Sequence, residues 1–117
     1  MQTLLIKIED IIQHLTLVKE CTGMFFQPHD SYDAAVTFVD GFLCAVSLGF
    51  SDSKDGEPYK LGNIFTDIND WYRMKMKIKQ SPQGLRYWVK AKNAELSEAE
   101  LIQKYFDTVI EYFEEMW

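Results

Sequence analysis

The stretch Ser97-Glu98-Ala99-Glu100-Leu101-Ile102-Gln103-Lys104-Tyr105-Phe106-Asp107-Thr108-Val109-Ile110-Glu111-Tyr112-Phe113-Glu114-Glu115-Met116 nearly closes the chain. Its first four residues read as a capping box. The Ser97 hydroxyl accepts from the Glu100 amide while the Glu100 carboxylate returns to the Ser97 amide, satisfying donors that a helix start leaves open. Leu96 and Leu101 fall at the flanking staple positions. Leu101, Tyr105, Val109, Phe113 and Met116 then recur at steps of three and four, widened by Ile102, Phe106 and Ile110. That spacing predicts a long amphipathic helix that packs hard against the rest of the protein.

Working outward, the same period recurs upstream. Leu4, Ile8, Ile11, Leu15 and Val18, widened by Leu5 and Ile12, predict a first helix, with Gly23 of Thr22-Gly23 as a left-handed cap. After Phe25-Phe26 and Pro28, Asp30 or Ser31 can cap a second helix whose buried side is expected to be Tyr32, Ala35, Phe38, Phe42 and Val46. Gly41 within it weakens the helix and predicts a close backbone contact. Residues 49 to 63 are rich in turn formers and read as the longest loop. Thr66-Asp67 then opens a third helix with Ile68, Trp71, Tyr72 and Ile78 inward and Arg73, Lys75, Lys77 and Lys79 outward. Ser81 as cap and Pro82 in the first turn would begin a fourth, short helix with Leu85, Trp88 and Val89 inward. Leu85, Tyr87, Val89 and Ala91 also alternate, so a short strand near 85–91 is the alternative. The fold expected is all-α, a compact bundle of about five helices in a single domain, 1–117.

Composition agrees with that frame. Of 117 residues, 47% are hydrophobic and 26% charged, enough apolar material for one real core and far from a disordered composition. The amino-terminal run carries charges and lacks a small-residue cleavage site, and no stretch approaches the length of a bilayer span. A cytoplasmic location is therefore expected. Cys21 and Cys44 sit in no metal-binding spacing and read as reduced packing residues. The net charge of −6 is unevenly spread: residues 1–29 carry −1, 30–70 carry −6, 71–92 carry +7 and 93–117 carry −6. Two readings follow. The basic segment can be neutralised by acidic neighbours within the fold, or an acidic face is left over to steer a basic partner.

Motifs for chemistry are few. His14 falls on the polar side of the first helix and reads as a surface residue. His29-Asp30 could orient an imidazole, but beside Pro28 it reads more simply as a turn. No zinc-protease, hydrolase-elbow, phosphate-loop or dinucleotide motif is present. Asp52, Asp55 and Glu57 match only part of a calcium loop. Lys75, Lys77 and Lys79 diverge around a helix axis, and their acidic surroundings would repel phosphate. No enzyme activity, cofactor, metal, membrane association or direct nucleic-acid binding is expected.

The order of motifs carries a further signal. Thr22-Gly23-Met24-Phe25-Phe26 is followed by Ser31 to Val46 as S-x-x-A-x-x-x-F-x-x-G-F-x-x-A-V. Then come Phe65 with Trp71, Trp88-Val89, and an acidic closing segment with Tyr105-Phe106 and Glu111-Tyr112-Phe113. This order resembles the small helical immunity proteins encoded beside bacterial polymorphic or contact-dependent growth inhibition toxins. Cys21-Thr22 stands where that family usually has a basic residue and proline, and Lys90 where it has a second aliphatic. The resemblance implies a cytoplasmic inhibitor that neutralises one cognate toxin, often a nuclease, by stoichiometric binding. A nuclease holds phosphate with basic residues, so carboxylates can occupy its groove. Gly41, Phe42, Trp71, Trp88 and Phe106, which carry the resemblance, read as core. The contact surface is expected at Asp52, Asp55, Glu57 and Tyr59 of the long loop with Asp67 and Asp70, and secondarily at Asp30 and Asp33. The alternatives are a regulatory or adaptor protein, or a small enzyme without a recognisable motif using His29.

Overall fold

The computed structural model describes residues 8–50, 61–79 and 81–116. Five helices make up the fold: α1 (Ile8–Glu20), α2 (Tyr32–Phe50), α3 (Leu61–Lys75), α4 (Leu85–Lys92) and α5 (Glu98–Met116), with a single 3₁₀ turn (Thr22–Met24) after α1. No strand occurs among the described residues, and the segment with the alternating pattern is α4. The protein is an all-α bundle.

The capping box forms as its chemistry requires. Ser97 N donates to Glu100 Oε1 at 3.0 Å and Glu100 N donates to Ser97 Oγ at 3.2 Å. The Ser97 backbone amide first, and the Ser97 hydroxyl second, hold the Glu100 carboxyl below its ordinary pKa. From there α5 buries Leu101, Ile102, Tyr105, Phe106, Thr108, Val109, Tyr112 and Phe113. A face that broad touches every other helix: α5 packs against α1, α2, α3 and α4 and is the bundle's centre. Thr108 is tolerated in this core because its hydroxyl donates back to Lys104 O at 2.7 Å. The apolar stripe stops at Phe113, for Met116, expected on it, is 55% exposed.

α2 turns a different face inward from the one its aromatics suggest. Tyr32, Ala35, Val36, Val39, Leu43 and Val46 are buried, while Phe38 and Phe42 are only half-buried. The helix is apolar over most of its circumference, so period alone does not choose its face. The smaller β-branched and aliphatic side chains lie on the side that α2 turns to α3 and α5, and the phenyl rings fill the flank towards α1. There Phe42 stacks on His14, with ring centroids 4.9 Å apart, and Phe25 meets the same imidazole edge-on at 5.8 Å. His14 is therefore a half-buried member of an aromatic cluster and not the plain surface residue its helical position suggested. Gly41 lies on the exposed side of α2 with open space where a Cβ would stand, so no backbone passes it. Gly23 lies within the 3₁₀ turn and has no left-handed φ.

Two helix starts also differ from expectation, and both are set by distant side chains. α3 begins at Leu61, five residues before the Thr66-Asp67 signal, which lies inside it. It ends at Lys75, and the left-handed φ of 56° at Lys77 turns the chain away, so Lys77, Lys79 and Ile78 follow the helix. α4 begins at Leu85, not at Pro82, and its N-cap residue Gly84 offers no side chain. Asn69 of α3 supplies the missing acceptor: Leu85 N donates to Asn69 Oδ1 at 3.0 Å. Ser81 only closes a local turn, accepting from Gln83 N at 3.2 Å. The start of α2 is capped twice, by Ser31 Oγ accepting from Ala34 N at 3.2 Å and by Glu98 of α5 accepting from Tyr32 N at 2.8 Å. A carboxylate at that end also meets the positive pole of the α2 dipole. Cys21 and Cys44 are free and half-buried.

Candidate interaction surface

The basic segment and the acidic closing helix partly neutralise one another. Lys75 of α3 reaches two carboxylates of α5, Glu111 at 2.5 Å and Glu115 at 2.6 Å. Arg86 of α4 pairs with Asp33 at 2.9 Å, and Lys19 of α1 with Asp107 at 2.5 Å. All four contacts are at least partly exposed, so they fix the relative register of the helices more than they add stability. Asp30, Asp67 and Asp70 have no ion-pair partner among the described residues.

Asp67 and Asp70 lie together, one turn apart on α3, at the rim of an open groove of 480 Å³ whose other lining residues are Trp71, Met74, Lys75 and Met116. The groove runs between α3 and the last turn of α5. Its floor is an anchored indole. Trp71 Nε1 donates to Glu115 Oε2 at 2.8 Å, its ring meets Tyr112 edge-on at 5.6 Å, and the Lys75 ammonium sits 5.1 Å from its centroid. Two thioether side chains flank it, Met74 at 70% exposure and Met116 at 55%. Tyr112 donates to Asp67 Oδ2 across a long 3.5 Å contact, tying the rim to the central helix.

The electrostatics favour a basic visitor. Hydrogen bonds from Lys75 and then Trp71 hold Glu115 below the ordinary carboxylate range, so it stays ionised well into acid. Bonds to Glu111 and Glu115 raise Lys75 above the ordinary lysine range. The single cation in the groove is therefore matched by two carboxylates, leaving Asp67 and Asp70 as excess negative charge beside exposed apolar atoms. An indole and methionines ringed by charge are the composition of a binding hot spot, because Met adapts its shape and Trp buries a large area at little entropic cost.

Of the residues expected at the contact surface, Asp67 and Asp70 thus come together with a recognition groove. Asp30 is exposed in the turn before α2, and Asp33 is bound to Arg86 and lines pockets away from this groove. Asp52, Asp55, Glu57 and Tyr59 lie outside the described residues. Trp71, expected in the core, is half-buried and forms the floor of the groove, and Phe42 is likewise half-buried; Trp88 and Phe106 are core. Met74 and Met116 were not foreseen as contact residues. Their signal was available in outline, since an exposed methionine beside a tryptophan on an acidic helix pair has no packing reason to be apolar.

The groove offers acceptors, an indole and thioethers, which is recognition chemistry. Among the described residues no group of three or more His, Cys, Asp or Glu is placed to hold a metal ion, and no described helix is long and apolar enough to cross a membrane. His29 is exposed in the turn before α2. No family model, curated protein or solved structure matches the chain.

Proposed function

We propose that this chain is an immunity protein that binds one cognate bacterial toxin, a nuclease domain with a basic active-site groove, and neutralises it by stoichiometric contact through an acidic surface. The observation that carries the reading is the groove between α3 and α5, where Trp71, Met74 and Met116 present apolar surface and Asp67 and Asp70 supply negative charge with no cation partner among the described residues. The order of aromatic and glycine motifs that resembles immunity proteins supports it independently. In this reading the carboxylates steer a cationic partner into register and the tryptophan and methionines hold it once water is expelled. A cytoplasmic site of action follows from the same proposal, because a self-protecting inhibitor meets its toxin inside the producing cell.

The reading predicts a gene for a protein with a basic toxin domain beside the gene for this chain, and growth of cells that express both. Asp67→Lys with Asp70→Lys is expected to abolish that protection while lowering the melting temperature only slightly, since both side chains are exposed, neither has a cation partner among the described residues, and Asp67 accepts only the long 3.5 Å contact from Tyr112. Met74→Asp tests the apolar half of the same surface. Full protection by both variants would contradict the proposed contact.

A further inference from the structure

A second polar site lies on the opposite flank of α3, in a cleft of 180 Å³ enclosed by α2, α3, α4 and α5. Its walls are largely apolar, Leu43 and Ile68 among them, yet two polar groups from different helices open into it, Asp40 of α2 and Tyr105 of α5. The Tyr105 side chain is 2% exposed. Burial raises its pKa well above the ordinary phenol, so the hydroxyl is neutral and keeps both a hydrogen to donate and lone pairs to fill. It makes no hydrogen bond among the described residues. The contrast with its neighbours is informative. Tyr32, whose ring meets Tyr105 edge-on at 5.7 Å, donates its hydroxyl to Arg86 O at 2.7 Å, and Tyr112 reaches Asp67. Tyr72, 4% exposed, also makes no hydrogen bond among the described residues, but it does not line this cleft.

Asp40 shares the condition of Tyr105. It is half-buried, accepts no hydrogen bond and has no cation within ion-pair distance among the described residues. The nearest cation in the cleft, Arg86, is committed to Asp33. Burial, only partly opposed by Arg86, pushes the Asp40 carboxyl upward. A buried hydroxyl without a partner costs stability, and Tyr105 opens into the same cleft as the partly exposed carboxylate of Asp40.

We propose that this cleft binds an alkylammonium group on an aliphatic stem, with Asp40 and the Tyr105 hydroxyl accepting from the ammonium and the apolar walls covering the stem. Charge selects the class. Arg86 in the wall is neutralised by Asp33 from outside the cleft, so Asp40 is the charge left over, and it favours a cation over a carboxylate or phosphate. Dimensions agree, because a cleft of 180 Å³ lined by Val36, Leu43, Phe65 and Ile68 suits an unbranched chain of a few methylenes. The same chemistry could come from a lysine side chain of a protein partner or from a free amine, and the inference does not depend on that partner being a toxin.

The test uses the intact chain, titrated separately with n-butylammonium, with Nα-acetyl-lysine methylamide and with butyrate, reading the Asp40 carboxyl carbon and the Tyr105 ring by NMR. Saturable shifts at both residues with the two ammonium compounds, and none with butyrate, are expected. Asp40→Asn and Tyr105→Phe should each weaken binding about tenfold, as loss of one charge-assisted hydrogen bond requires. Tighter binding of the lysine derivative assigns the source to a protein side chain, and tighter binding of butylammonium assigns it to a free amine. Tyr105→Phe should melt no lower than wild type, because the hydroxyl it removes has no partner. No saturation at either residue, equal response to butyrate, or a clear loss of stability in Tyr105→Phe would each overturn the proposal.

Discussion

Replacing Asn69 by Ala should destabilise the protein through a helix to which Asn69 does not belong. Leu85 N, the first amide of α4, donates to Asn69 Oδ1 at 3.0 Å, and Gly84 at the cap position has no side chain to take over. The Asn69 amide also covers Gly84, with Nδ2 3.6 Å from where a Cβ would stand. Losing a cap costs about 1 kcal/mol. Leaving a part-buried amide without an acceptor adds to that, so a loss of about 1.5 kcal/mol is expected. In a domain of this size it corresponds to a fall of roughly 5 °C in Tm. Urea unfolding followed by far-ultraviolet circular dichroism measures it directly, since α4 carries Leu85, Trp88 and Val89 into the core and melts with the whole. The backbone at Gly84 is extended, and a Cβ there meets the Asn69 side chain only at ordinary contact distance. Gly84→Ser in the Asn69→Ala background should therefore restore about half of the loss by capping α4 locally. A stability change in Asn69→Ala below about 0.3 kcal/mol, within the noise of such measurements, would refute the assignment of Asn69 as the cap of α4.

Two further outcomes test the packing and the charges. Phe106→Ala removes a fully buried ring of the central helix that lies near-parallel to Phe26 at 6.4 Å, and should cost about 3 to 5 kcal/mol in chemical denaturation. The Lys75–Glu111–Glu115 cluster should give a stability that is greatest near neutrality. The depressed Glu115 contributes above the ordinary carboxylate range and loses that contribution as pH falls through its lowered value, while the raised Lys75 contributes below the ordinary lysine range and loses it as pH rises through its raised value. Lys75→Met should flatten the alkaline arm, and a profile unchanged from wild type would show that the cluster is energetically silent.

The features legible in the sequence were those whose cause is local. The capping box at Ser97 to Glu100 and the apolar steps of α5 could be read because every participant lies within one or two helical turns. The face of α2 was not legible, since Val36, Val39, Leu43, Phe38 and Phe42 leave too little polar surface to mark an outside. The choice was made by α3 and α5, towards which the smaller side chains lie. The start of α4 was misplaced for a related reason: Ser81-Pro82 is a good local signal, but the acceptor at Leu85 comes from Asn69, sixteen residues away. Asp67 and Asp70 were singled out as a helix start and prove to lie mid-helix, where their use comes from sharing a groove with Met116 of α5. The Asp40 and Tyr105 pair has no sequence signature, because two polar residues on separate helices become neighbours only once the bundle closes.

If the groove between α3 and α5 is the contact surface, its methionines report on the partner directly. Methionine-methyl NMR of the chain with and without the toxin domain encoded beside it follows Met74 and Met116 in the groove. Met24, 81% exposed in the turn after α1, serves as an internal control. The Met74 and Met116 methyls should shift at one equivalent of partner while Met24 keeps its position. A shift at Met24 with Met74 and Met116 unmoved would place the partner elsewhere and contradict the groove as the contact surface.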